Sequence, residues 1–122
     1  DVKPGYPALE THLPVMMSEG VIKRNIPIEK VIEKMTKNPA KIFGIYPQKG
    51  SLLPGSDADL VVLDLNNKKI VNSDNLSSRS DFSIYEGKEL IGWPIYTIKE
   101  GKIVVKDGKL SEVGIKGRCL KR

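Results

Sequence analysis

Histidine and cysteine are nearly absent from this sequence of 122 residues, which holds one of each. A catalytic zinc ion takes about three protein ligands, usually histidines with a carboxylate, so we predict no metal ligand and no catalytic residue within the chain. His12 has no second histidine three or four residues away, and we interpret it as an ordinary helix residue. The single Cys119 cannot build a disulfide framework, which favours a cytoplasmic location.

Long apolar runs are also lacking, since the longest, at residues 60–63, holds four residues. A membrane span needs roughly 20, so no membrane partner is predicted. The first residues do not have the charged, apolar and small-residue order of a signal peptide.

Positive charge is concentrated at one end of the chain. The net charge is +5, and residues 101–122 alone hold seven basic and two acidic residues. This excess forms a tail and is not accompanied by a nucleic-acid-binding motif. We therefore predict a solvated basic tail and no nucleic-acid partner.

The first half of the sequence has the pattern of helices. Thr11 is placed to cap a helix that runs to about residue 19, with Pro14 in its first turn and Gly20 at its end. Four apolar residues at positions i, i+3, i+4 and i+7 indicate a second helix. These residues are Ile28, Val31, Ile32 and Met35. A third, short helix is expected to start at Pro39 and to end at Gly44.

After residue 50 the pattern changes to that of strands. The apolar run at residues 59–65 is predicted to be a buried strand, and residues 68–74 another short one. Residues 89–112 are predicted to form two or three strands, with a hairpin between residues 96–98 and 103–105 and a tight Asp-Gly turn after it. The polar residues 72–88 are expected to form a loop. Asp57 and Asp59 precede the first strand, where hydrogen bonding within a turn explains them.

Helices that come first and strands that follow predict an α+β chain. The helices have no sheet of their own, so their apolar faces, including Leu13, Met16 and Met17, are expected to lie exposed and to need a partner. The chain also begins at Asp1 without an initiator methionine. We therefore expect a fragment of a larger protein, and we expect it to form a homo-oligomer.

Four phrases, in the same order, resemble the cyclic amidohydrolases, the family of dihydroorotase, dihydropyrimidinase or hydantoinase, and allantoinase. They are PGYPALETHLPVMMSEGV, TKNPAKIFGIYPQKGSLLPGSDADLVVLDL, SIYEGKELIGWPIYTIKEGKIVVKDGK and GIKGRCLKR. The resemblance implies that residues 1–50 are the last helices of a (β/α)8 barrel with a remnant of the substrate loop. Residues 51–122 would then be strands of the small C-terminal β-domain, ending in the basic tail.

The resemblance also implies an activity for the full-length protein, the hydrolysis of a ring amide with the help of zinc. The histidine motifs that hold zinc in this family do not occur here, so this chain is expected to bind none and to be inactive alone. YPALET favours dihydroorotase and therefore a substrate such as dihydroorotate, whereas MMSEGV and GRCLKR favour hydantoinase. Allantoinase, or a metal-free homologue that serves in assembly, remains an alternative.

One contact with the substrate is implied for the chain itself. In the family, the loop aligned with Pro4 and Gly5 touches the small cyclic amide through its backbone. A ring amide presents N–H and C=O edges that a backbone can complement. Since Pro4 has no N–H, any donor must be Gly5 or a neighbour.

Overall fold

The computed structural model describes residues 5–111 and 116–120, and within them helices precede strands, as predicted. The helical part consists of α1 (Leu9–Val15), a π-helix (Met16–Ile22), α2 (Ile28–Met35) and α3 (Lys37–Ile42). The strands are β1 (Leu60–Ile70), β2 (Glu89–Lys99), β3 (Lys102–Lys106) and β4 (Lys109–Leu110), with a short 3-10 helix at Ser73–Asn75. They form one sheet in the order β1-β2-β3-β4. The α+β class is therefore confirmed.

The chain forms two compact units, each built from two separate stretches of sequence. The first unit is Asp1–Asn25 with Asp64–Trp93, and the second is Ile26–Leu63 with Pro94–Arg122. The division between residues 50 and 51 that the family resemblance implies stays a prediction.

The core of the first unit lies where β2 meets the end of β1. Val71, Leu90 and Trp93 are buried there, and Val15, Leu76 and Tyr85 pack against them. The indole of Trp93 donates a hydrogen bond to the carbonyl of Leu90 at 3.0 Å, so its one polar group is satisfied inside the core.

The first helix differs from its prediction at both ends. Thr11 does not cap it, because α1 begins at Leu9 and the buried Thr11 hydroxyl donates to the carbonyl of Ala8. Pro14 lies inside the helix and not in its first turn. Gly20 does not end the helical segment, because the π-helix continues through it to Ile22. Gly20 is buried, so packing against the rest of the unit outweighs its weak helix propensity.

Gly92 lets β2 approach the π-helix closely. Its φ is +93°, and a Cβ at this position would lie 2.7 Å from the Cβ of the fully buried Met17. No real Cβ tolerates such a contact, and L side chains rarely adopt that φ. Glycine is therefore required here for both its backbone freedom and its lack of volume.

In the second unit α2 agrees with its prediction, and α3 starts two residues before the predicted Pro39. Gly50 lies against α3, where an added Cβ would be 2.8 Å from the carbonyl oxygen of Thr36 and 2.9 Å from the Cβ of Ala40. The loop after α3 can therefore pack onto that helix only because residue 50 is glycine.

The predicted hairpin is confirmed. Thr97 pairs with Val105 and Ile98 with Ile103 in the antiparallel ladder of β2 and β3. The two-residue turns at 100–101 and 107–108 have positive φ at every central residue, between 50° and 77°. This is the backbone of a type I′ turn, which matches the twist of paired strands.

The predictions for residues 59–74 are wrong in two respects. A single strand, β1, replaces the two expected strands, and it is not buried. Val61, Val62 and Leu65 are 48%, 41% and 41% exposed. The reason is that β1 stands at one end of the strand order, so its apolar composition does not bring burial on both faces.

The apolar helix faces are also more covered than expected. Met17 and Val31 are buried, and Leu13, Met16, Ile28, Ile32 and Met35 are partly buried. Most of the large apolar residues that lie exposed are outside the helices. The four most exposed among the described residues are Leu9 and Ile42, in α1 and α3, with Leu52 and Leu110.

Candidate functional site

The loop before α1 forms one wall of an open cleft of about 220 Å³. Gly5, Tyr6 and Pro7 line that wall, and Ser80 and Phe82, from the loop between β1 and β2, line the other. We call this space the opening-loop cleft. It contains Gly5, the described half of the predicted substrate contact, whereas Pro4 lies outside the described residues.

Gly5 has a backbone conformation that favours glycine. Its φ is +77°, and among the described residues, its chain neighbours aside, no atom lies within 4 Å of the position that a Cβ would occupy. The peptide is therefore accessible on that side, and a side chain would both strain the backbone and fill the free space. The family resemblance predicted a role for Gly5. Nothing in the sequence indicated that Ser80 and Phe82, some 75 residues later, line the same cleft.

The described residues do not fit the zinc ion that the family resemblance implies. Across residues 5–111 and 116–120, no three His, Cys, Asp or Glu side chains come together in a way that could hold a metal. His12 is exposed on α1, and Cys119 is an exposed free thiol in the tail. No step of the chemistry can therefore be assigned to a metal held by these residues.

Asp57 and Asp59 belong to a cluster of charges, which corrects their interpretation as turn residues. The Lys49 ammonium lies 2.9 Å from a carboxylate oxygen of Asp57 and also pairs with Asp59. Asp59 accepts a further hydrogen bond, at 2.8 Å, from the backbone N–H of Glu100 in the β2–β3 turn. The cluster joins three stretches of the second unit that are distant in sequence.

The ion pairs shift the protonation equilibria of the cluster. Lys49 lowers the pKa of Asp57, and Arg118 adds to the effect. For Asp59, burial opposes ionisation, but the hydrogen bonds from Lys49 and from the Glu100 backbone outweigh it, and the pKa is lowered. The two aspartates in turn raise the pKa of Lys49. All three groups are thus charged over the ordinary pH range.

Arg118 brings part of the basic tail into this cluster. Its guanidinium donates to both carboxylate oxygens of Asp57 at 2.5 Å. When the Gln48 amide is turned so that both of its polar atoms are satisfied, its oxygen accepts from Arg118 at 3.0 Å. Arg118 is exposed, in agreement with the predicted solvated tail, but it is also bound by a carboxylate 61 residues earlier, which the sequence did not indicate.

Comparison with known proteins shows to which family the chain is related. The model of the amidohydrolase family matches residues 8–104, which is most of the chain. This chain belongs to the amidohydrolase family.

Among similar amidohydrolases, the L-hydantoinase of Paenarthrobacter aurescens is 42% identical over 106 residues, which cover 87% of this chain and 23% of that protein. The D-phenylhydantoinase of Escherichia coli O1:K1 is 33% identical over 118 residues, covering 97% of this chain and 26% of that protein. The solved L-hydantoinase (dihydropyrimidinase) from Arthrobacter aurescens superimposes with a TM-score of 0.86 at 40% identity, covering 90% of this chain and 24% of that one.

This amidohydrolase chain thus spans about a quarter of the length of the curated relatives it matches. Within its described residues, none of the helices is both long and apolar enough to cross a membrane.

Glu19 is a second centre of charge in this amidohydrolase chain, and sequence reasoning missed it. Its carboxylate lies 2.8 Å from the ammonium of Lys88 and 2.9 Å from that of Lys23, and Arg24 donates to it at 3.2 Å. Lys88, followed by Lys23, lowers the pKa of Glu19 to about 2. The carboxylate therefore ties the π-helix to the residue before β2. Only the Lys23 contact has a signal in the sequence, the i, i+4 spacing.

Proposed function

We propose that this chain is the C-terminal part of a hydantoinase or dihydropyrimidinase, an enzyme that hydrolyses the amide C–N bond of a small cyclic amide. The observation that carries the proposal is the 42% identity to an L-hydantoinase over 87% of the chain. The related structures support it, since one named L-hydantoinase (dihydropyrimidinase) and one named D-hydantoinase both superimpose with TM-scores of 0.86. These relatives favour the hydantoinase alternative over the dihydroorotase that YPALET favoured.

In this proposal α1, α2 and α3 are the last helices of the (β/α)8 barrel, and β1 to β4 belong to the small β-domain. The zinc of the whole enzyme is held by residues outside this chain. The contribution of the chain to substrate binding is the backbone at Gly5, in the opening-loop cleft. We further propose that the whole enzyme is a cytoplasmic homo-oligomer whose partner is its small-molecule substrate.

The described part of the cleft lining, which is uncharged, favours a neutral ring. None of the five described residues that line it carries a charge. Dihydroorotate has a carboxylate that needs a cationic partner, whereas hydantoin and dihydrouracil do not. The cleft therefore supports the same choice of substrate class as the relatives do.

The test is an assay of the whole protein that contains this chain with hydantoin, dihydrouracil, dihydroorotate and allantoin. We expect the highest kcat/KM with hydantoin or dihydrouracil. Faster turnover of dihydroorotate or allantoin would refute the choice of substrate. If no substrate is hydrolysed and the preceding residues contain no His-X-His phrase, the metal-free assembly homologue is the better description.

A further inference from the structure

The second wall of the opening-loop cleft comes from a polar segment to which the proposed function assigns no role. Residues 72–88 have the composition of a solvated loop, yet Ser80 and Phe82 face Gly5, Tyr6 and Pro7 across the cleft. We propose that Phe82 determines specificity by contacting the apolar substituent on the ring of the bound cyclic amide. This inference rests on the proposed function, because it concerns the substrate of that same site.

The lining has the chemistry of such a subsite. Tyr6, Pro7 and Phe82 offer ring surfaces, while the Ser80 hydroxyl and the peptide of Gly5 are the polar groups. Sites for small molecules are mainly apolar and aromatic, with a few polar groups that fix orientation. Gly5 would thus meet the polar edge of the amide ring, and the aromatic side chains its substituent.

The loop that carries Phe82 is held in place by hydrogen bonds. Glu86 accepts from the backbone N–H of Ser73 at 2.9 Å, and the Asn72 side chain accepts from Asp74 at 2.9 Å. Next to Phe82, Ser83 is buried and its hydroxyl accepts from the backbone N–H of Tyr85 at 3.2 Å. A side chain on a fixed loop can select between substrates, because its position does not simply adapt to each of them.

Glu10 connects the two walls of the cleft. It lies in α1, directly after the wall formed by residues 5–7, and its carboxylate accepts from the backbone N–H of Ser77 at 2.7 Å. The bond spans 67 residues of sequence and reaches the loop three residues before Ser80. Glu10 is therefore a positioning residue, which acts on the substrate only through the loop that it holds.

The experiment compares two substrates with the whole protein, unsubstituted hydantoin and 5-benzylhydantoin. Phe82→Ala should raise KM for 5-benzylhydantoin about fivefold to tenfold, the effect of losing one aromatic contact, with kcat nearly unchanged. KM for hydantoin should change less than about twofold, because hydantoin has no substituent to contact Phe82. Phe43→Ala is the matched control, since Phe43 is the other phenylalanine, lies exposed in the second unit and should change neither KM.

Variants of Glu10 separate positioning from a general loss of stability. Glu10→Ala should raise KM for 5-benzylhydantoin selectively, and Glu10→Gln should restore it, because an amide oxygen can also accept from Ser77. Phe82→Leu, which keeps an apolar side chain, gives an intermediate KM if Phe82→Ala does not fold.

Each outcome decides one of the two proposals. Equal changes of KM for both substrates, or none for either, would overturn the role of Phe82 while leaving the hydrolase function intact. Wild-type protein that hydrolyses neither of these substrates would overturn the role of Phe82, and failure to hydrolyse dihydrouracil as well would overturn the proposed function.

Discussion

The contact between Gly92 and Met17 allows a quantitative test of how the first unit is packed. An alanine at 92 must adopt a φ of +93° and place its Cβ 2.7 Å from that of Met17. The backbone term costs about 1–2 kcal/mol for an L-residue in the left-handed region. Forcing an extra carbon into a filled core adds about 1–3 kcal/mol. We therefore expect Gly92→Ala to destabilise the chain by about 2–5 kcal/mol.

Gly55 provides the matched control. Its φ is +92°, but apart from its chain neighbours no atom of residues 5–111 and 116–120 lies within 4 Å of where its Cβ would be. Gly55→Ala should therefore show the backbone cost alone, about 1–2 kcal/mol. The difference between the two variants isolates the contact with Met17.

The assay is urea unfolding of the 122-residue chain followed by the fluorescence of its single tryptophan, Trp93, which is buried in the first unit. With a slope of about 2 kcal/mol/M, the midpoint for Gly92→Ala should lie about 0.5–1.5 M below that for Gly55→Ala. Equal midpoints would refute the close packing of β2 on the π-helix.

Three further predictions concern single polar groups. The buried Ser18 hydroxyl has no hydrogen-bond partner in the described part of the chain, so Ser18→Ala should stabilise the chain by about 1 kcal/mol in urea unfolding. Ser83→Ala removes the acceptor of the Tyr85 N–H and should destabilise the chain by a similar amount. Because the pKa of Glu19 falls from 4.5 to about 2 on folding, its stabilisation is complete above pH 4.5 and is lost as the pH falls towards 2. With Glu19→Gln, the urea midpoint of unfolding should depend less on pH over that range. A pH dependence equal to that of the wild type would contradict the stabilising role of Glu19. Asp57→Asn should speed trypsin cleavage after Arg118 relative to cleavage at other sites, and equal relative rates would show that the tail is not held there.

Sequence reasoning succeeded where the deciding interactions are local. The spacing of Ile28, Val31, Ile32 and Met35 predicted α2, and the Glu-Gly and Asp-Gly pairs predicted both tight turns. In each case the residues that fix the backbone are within a few positions of one another. Gly5 was named from the family resemblance and not from a local pattern, and its contact with the substrate stays a prediction.

Prediction from the sequence failed where contacts between distant parts of the chain determine the structure. Gly20 looks like the end of a helix, but burial inside the first unit keeps the segment helical beyond it. The carboxylate of Asp57 binds a guanidinium 61 residues away, and Ser80 and Phe82 line the same cleft as Gly5. No periodicity or turn rule relates such pairs, so neither the charge cluster nor the second wall of the cleft could be predicted.

The docking of the β2–β3 turn has a consequence for the order of folding. The N–H groups of Glu100 and Gly101 donate to Asp59 and to the carbonyl of Ala58, at 2.8 and 2.9 Å, and the first bond closes a ring of chain across 41 positions. Closing a flexible loop of that length costs about 3 kcal/mol of chain entropy, whereas the hairpin itself closes over two residues. The hairpin should therefore form early, within microseconds, and the Ala58–Asp59 segment should bind to it later. We therefore expect the contacts of Asp59 to form late, so that mutations at Asp59 speed unfolding more than they slow folding, and the two arms of a urea chevron measure both rates.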